Sequence, residues 1–171
     1  MAGNDKSRGK GSRRASVLAA RIEQGAEDLA AFAETLTDAQ WKVPMAGGSD
    51  RRTVGVIVHH VANMYPIEID AARAIAAGKP VDVTWEAVAE INAGHAKEQA
   101  AVTRAAAIEL LRRNSRAAAD AVREFTDEDL DGAAPFGLSY GAPMTAQFVI
   151  EDHALRHAWH HLARIRRALG H

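Results

Sequence analysis

The sequence predicts an all-α protein, an antiparallel four-helix bundle, and three observations carry that prediction. Apolar residues recur at three- and four-residue spacing through long alanine-rich segments, the pattern of helices that each bury one face. No strand-like alternation of useful length and no internal repeat interrupts it. The segments are separated by substantial Gly-, Pro- and Asp-containing loops, and four long helices so connected pack most simply as antiparallel neighbours.

Residues 1–14 carry Lys6, Arg8, Lys10, Arg13 and Arg14 among Gly and Ser with no large apolar residue. Such a stretch cannot contribute to a core and is expected to be a disordered basic tail, with the bundle domain spanning 15–171. Ser16 is the expected cap of a first helix holding Leu18, Ile22, Leu29, Phe32 and Leu36 on one side,. Thr37-Asp38, Pro44 and Gly47-Gly48 end it. A second helix is expected from about Asp50 to Gly78-Lys79-Pro80, kinked or divided at Pro66,. Thr84 caps a third, bent near a second candidate cap at Thr103 and running to about Phe125,. Residues 127–143 are acidic, then rich in Gly and Pro, hence a loop. The last helix spans roughly Pro143 to Leu169 and ends in Arg164, Arg166 and Arg167, the sign that its dipole prefers,.

Composition narrows the function classes. The 171 residues carry 21 basic and 22 acidic side chains, a net charge of -1 that argues against specific nucleic-acid binding,. No apolar run approaches the ~18 residues of a membrane span. The N-terminal segment lacks the apolar core of a secretory signal, which makes the cytoplasm the expected location,. Cysteine is absent, excluding disulfides, thiolate metal sites and cysteine nucleophiles,. Histidine numbers eight, and four of these are His153, His157, His160 and His161.

Helical geometry separates the histidines. In the last helix Met144, Phe148, Leu155, Trp159, Leu162 and Leu169 form an apolar stripe, with Ile150, Ala154, Ile165 and Ala168 on a second inward edge,. His157 centres that second edge, His153 and His161 lie about 40° to either side, and His160 turns outward. His157 and His161 stand at i, i+4, so both imidazoles can reach one metal ion. In the second helix the apolar arc runs through Val54, Ile57, Val61 and Tyr65. His60 borders it, whereas His59 is expected to face solvent, as is His171. The third helix adds a seam of Trp85, Val88, Asn92, His95, Gln99 and Val102. Leaving its three polar members unpaired in a dry core would cost roughly 1–3 kcal/mol each. The faces together predict a polar cavity with His60, His157 and His161 as metal ligands and Asn92, His95, Gln99 and His153 around them. Three neutral imidazoles with an open position suit a catalytic site for a divalent metal. Zinc, nickel, iron and cobalt all accept such a set and the ligands alone do not choose between them, with zinc or nickel the expected ion. Glu68, Glu151 and Asp152 receive no inward role from their angles.

Two stretches bear a resemblance. Thr53 to Val61, TVGVIVHHV, resembles the second-helix motif of the DinB-like superfamily, in which the ligand histidine follows V-G-x-I. His157 to Ile165, HAWHHLARI, resembles that superfamily's last-helix signature H-x-x-H-H-x-x-Q-I, with Arg164 in place of the Gln. The segment from Leu36 to Trp41, followed by Pro44, is similar to its first connection, and the likeness extends over roughly residues 16–169. The resemblance implies a four-helix bundle, a three-histidine divalent-metal site formed by His60, His157 and His161, and a homodimer. It also implies thiol-dependent transferase or isomerase chemistry with mycothiol, bacillithiol or another low-molecular-weight thiol. The Ala- and Arg-rich composition fits a GC-rich genome and favours mycothiol.

The expected function is therefore that of a metal-dependent enzyme in which a thiol cofactor or water at the metal is the nucleophile, with Asn92, His95 and Gln99 orienting a small-molecule substrate or relaying protons. A thiol would have to come from outside the chain. The alternatives are a metal- or small-ligand-binding helical dimer without turnover, in a structural or stress-related role, and a metal-free polar core of hydrogen-bonded histidines.

Overall fold

The computed structural model describes residues 12–45 and 52–171. Helix α1 (Arg13–Glu34) begins two residues earlier than the expected tail boundary, because Ser12 rather than Ser16 caps it, accepting from the Ala15 N–H at 2.9 Å. The earlier start buries Ala15 together with Leu18, Ala19 and Ile22. Of the basic tail, residues 1–11 lie outside the described residues, as do Gly47-Gly48 and Asp50. A short helix α2 (Asp38–Trp41) follows, capped by Thr37.

Helix α3 (Val54–Ala76) runs unbroken through Pro66. Proline offers no N–H, so the carbonyl four residues earlier, that of Ala62, loses its helical partner. The Asn114 side chain reaches over from a neighbouring helix and donates to that carbonyl at 2.9 Å. A tertiary contact thus supplies the bond that proline withholds, and the expected division of the helix does not occur.

The predicted third helix is two helices, α4 (Trp85–Glu98) and α5 (Arg104–Arg123), with Thr84 and Thr103 capping them in turn. They differ in burial: α5 packs against α1 and α3, whereas His95 is the one buried residue of α4. The Ser12 N–H donates to the Phe125 carbonyl at 3.1 Å, which sets the start of α1 beside the end of α5 and makes the two antiparallel. Arg112 on α5 bridges Glu27 and Glu34 of α1 at 2.7 Å each.

The segment expected to be loop contains a short helix α6 (Asp127–Asp131) and an antiparallel strand pair, β1 (Ala133–Pro135) and β2 (Pro143–Thr145). Thr145, not Pro143, begins the final helical run. That run is interrupted: α7 (Ala146–Val149) passes into a π-helical turn over Ile150–Leu155, where the Arg156 N–H reaches the Glu151 carbonyl, and then into α8 (Arg156–Leu169). One extra residue in a turn rotates the faces before and after it by about 100° relative to a continuous α-helix. Phe148, predicted on the inward stripe, is accordingly 40% exposed, while Val149 and Ile150 are buried in its place. The four long helical units α1, α3, α5 and α7–α8 enclose the core, and α4 stands outside it. No helix among the described residues is long and apolar enough to cross a membrane.

Candidate metal centre

His60 projects from α3 and His157 and His161 from α8, and the three imidazoles converge between the helices. Ring centroids lie 4.9 Å apart for His60 and His157, 4.8 Å for His157 and His161, and 5.6 Å for His60 and His161. One ligand nitrogen from each falls within 4.8 Å of the others. Both α8 residues follow the π turn, so their i, i+4 relation survives it.

The Nε2 atoms of His157 and His60 are 3.1 Å apart. A tetrahedral centre with bonds of ~2.0–2.1 Å sets its ligand nitrogens ~3.3–3.4 Å apart, so this pair is close to metal-binding spacing as it stands. Behind His157, its Nδ1 lies 2.7 Å from Oε1 of Glu68. A carboxylate only accepts, so Nδ1 carries the proton and Nε2 turns its lone pair toward the other two rings. Glu68 is buried. This is the carboxylate–histidine arrangement that orients metal ligands and raises their basicity. His161 is buried with no hydrogen-bond partner at Nδ1. Burial, reinforced by His157 and His60, holds its pKa far below the ordinary imidazole range and keeps it in the neutral, ligating form,.

Glu68 escaped the sequence reading, yet a signal existed. Val54, Ile57, Val61, Tyr65, Glu68, Ala72 and Ile75 keep three- and four-residue spacing, and Glu68 is the one carboxylate in that buried line.

The cluster opens on a cavity of about 550 Å³ between α3, α4, the 136–138 segment and the start of α8. Asn92 and His153 line it. The His153 ring meets Phe136 edge-on at 5.3 Å, and burial lowers its pKa although Glu68 and Asp152 oppose the shift. His95 stands behind His60, 5.7 Å between centroids, and its Nε2 is 2.8 Å from Nδ1 of His59. His59, expected in solvent, is therefore half-buried and paired across α3 and α4, and burial lowers the pKa of both rings. Gln99 belongs elsewhere: it caps the C-terminus of α4 and does not line the cavity. The break between α4 and α5 takes it off the seam that a continuous helix would have given. His160 is exposed, as its angle predicted.

The family model described as DinB superfamily matches residues 21–165, nearly all of the bundle. The chain belongs to the DinB superfamily. Comparison with curated proteins finds no match. Among solved structures, YfiT from Bacillus subtilis, described as "a probable metal-dependent hydrolase with an unusual four-helix bundle topology", aligns with a TM-score of 0.72. The alignment covers 99% of this chain and 94% of that chain at 18% sequence identity, a likeness of fold. In this DinB superfamily protein the segments carrying the V-G-x-I and H-x-x-H-H patterns are those that bring His60, His157 and His161 together.

Proposed function

We propose that this DinB superfamily protein is a divalent-metal-dependent enzyme acting on a small molecule. The observation that carries the proposal is the convergence of His60, His157 and His161 at a cavity, with Glu68 buried behind His157. The residues fit a metal: two Nε2 atoms already stand near ligand spacing, and the buried His161 Nδ1 has no partner in the protein. Zinc and nickel suit such a donor set. A divalent ion there supplies Lewis acidity that lowers the pKa of a small nucleophile and polarises an electrophile.

The chain's own residues bind and orient. Glu68 keeps the proton of His157 on Nδ1, and burial keeps His161 neutral. Asn92 and His153 offer polar atoms for positioning the substrate. No Ser, Thr, Tyr, Lys or Cys lines the cavity among the described residues, which favours a nucleophile from outside. A low-molecular-weight thiol of the mycothiol kind, giving a transferase or isomerase, fits that requirement. Water fits it as well, and the description of YfiT as a hydrolase supports that branch.

Elemental analysis of untagged protein offered several transition metals should find about one equivalent bound, lost in His60→Ala, His157→Ala and His161→Ala. Less than about a tenth of an equivalent in the wild type would sink the metal centre. Thiol consumption and ester hydrolysis with electrophilic test substrates then separate the two nucleophiles. Equal rates for wild type and His157→Ala in both assays would refute catalysis.

A further inference from the structure

Six large apolar side chains are strongly exposed among the described residues, and three of them, Ile67 (49%), Trp85 (52%) and Ile91 (48%), line the cavity that ends at the imidazoles. They belong to α3 and α4. A short helix is marginal in water without packing, yet α4 has His95 as its one buried residue. Its apolar side, carrying Trp85, Val88 and Ile91, faces the cavity instead of core.

We infer that the substrate is an uncharged small molecule whose apolar body lies along Trp85, Ile91 and Ile67 and whose reacting end meets the imidazoles, an inference that rests on the metal-centre reading above. Size supports it: about 550 Å³ lies within the range of small-molecule sites, ~300–1,000 Å³,. Continuity supports it too, because one concave space joins the apolar side of α4 to the histidine cluster. A second copy laid over α4 from outside would cover the apolar rim and leave that inner end unfilled.

Charge argues for an uncharged body. Apart from histidine, the ionisable residues lining the cavity are Arg52 and Arg156 against Glu68, Asp70 and Asp152. Arg156 is bound to Asp152 at 2.9 Å and Glu68 to His157 at 2.7 Å, while Arg52 is engaged yet keeps one buried nitrogen, Nη1, without a hydrogen-bond partner. A carboxylate or phosphate would find a single such donor, Arg52 Nη1, in a lining where carboxylates outnumber arginines three to two. A neutral apolar surface gains from this wall what an anion does not.

A pair of fluorescent probes sharing one ring system tests the inference on the full chain, both metal-free and zinc-loaded. Neutral N-phenylnaphthylamine should bind both forms, and its sulfonated analogue anilinonaphthalene sulfonate should bind the metal-free form at least about tenfold more weakly. Trp85→Ala should weaken the neutral probe by about tenfold or more, as loss of an aromatic anchor does. Ile91→Asp should do the same, and Val17→Ser, on an exposed apolar residue away from the cavity, should change nothing. Both cavity positions are half-exposed, so both variants should fold, which circular dichroism checks. Unchanged binding in Trp85→Ala and Ile91→Asp would overturn the inference, as would tighter binding of the sulfonate by the metal-free form. Sedimentation showing a dimer that Trp85→Ala dissociates, with no probe bound by the wild type, would give the α4 face to a second copy instead. Probe binding without zinc uptake would sink the metal centre alone, whereas zinc uptake without probe binding would sink this inference alone.

Discussion

Replacing Glu68 separates metal affinity from folding, because its carboxylate bears on the two in opposite ways. Oε1 accepts the His157 Nδ1–H at 2.7 Å, and the side chain is only 6% exposed. Glu68→Gln retains an oxygen that accepts from Nδ1 but removes the negative charge that raises the basicity of the ligand nitrogen. Glu68→Ala removes the acceptor as well and leaves the ring free to turn. Losses of about 10–100-fold in metal affinity are usual for such outer partners, about 1.4–2.7 kcal/mol. The Ala variant should lie at the upper end of that range and the Gln variant at the lower. Folding without metal follows another rule, since a buried carboxylate is costly to desolvate and its neutral isostere can be as stable or more so. Competition with a chromophoric zinc chelator measures the first effect, and thermal unfolding of the metal-free protein measures the second. Wild-type zinc affinity in both variants would refute the claim that Glu68 orients His157. A parallel collapse of metal-free stability in Glu68→Gln would show instead that the residue serves the fold.

The remaining predictions concern pH and packing. Burial holds the folded-state pKa values of His161 and His153 below the ordinary imidazole value, so below pH ~6.5 the unfolded chain takes up protons that the folded chain refuses. Stability of the metal-free protein should therefore be flat above neutrality and fall with acidification, by at most about 1.4 kcal/mol per pH unit for each such histidine. Urea unfolding at neutral and mildly acidic pH checks this; His153→Gln should make the decline shallower, and a pH-independent midpoint would contradict it. Gly55→Ala places a methyl group against the Trp41 indole, which cannot retreat without loss of its Nε1 hydrogen bond to the Val102 carbonyl at 3.0 Å. Overpacking of about 1–3 kcal/mol should outweigh the roughly 1 kcal/mol gained in helix propensity. A lowered melting temperature is expected, and a raised one would show that the indole yields.

Much of the fold was legible in local periodicity. The helical segments, the Thr84 and Thr103 caps and the i, i+4 placement of His157 and His161 depend on residues within a few positions of one another. His60 could be assigned inward because α3 is one regular helix, and Pro66 misled because its remedy, Asn114, lies 52 positions away from the carbonyl it satisfies. Phe148 misled for a different reason. Its assigned face presumed one constant angle per residue, and the π turn at Ile150–Leu155 changes that angle partway along the helix.

By itself, then, the sequence determined an all-α bundle, the i, i+4 placement of His157 and His161 and the inward side of His60, since each follows from short-range spacing, whereas the meeting of the three imidazoles across α3 and α8 did not. Tertiary structure alone decided that Glu68 stands behind His157, that His59 pairs with His95, that Gln99 leaves the cavity and that α4 lies outside the core. These are relations between helices distant in sequence, set by how whole faces pack, and residue spacing carries no record of the distance between two helices.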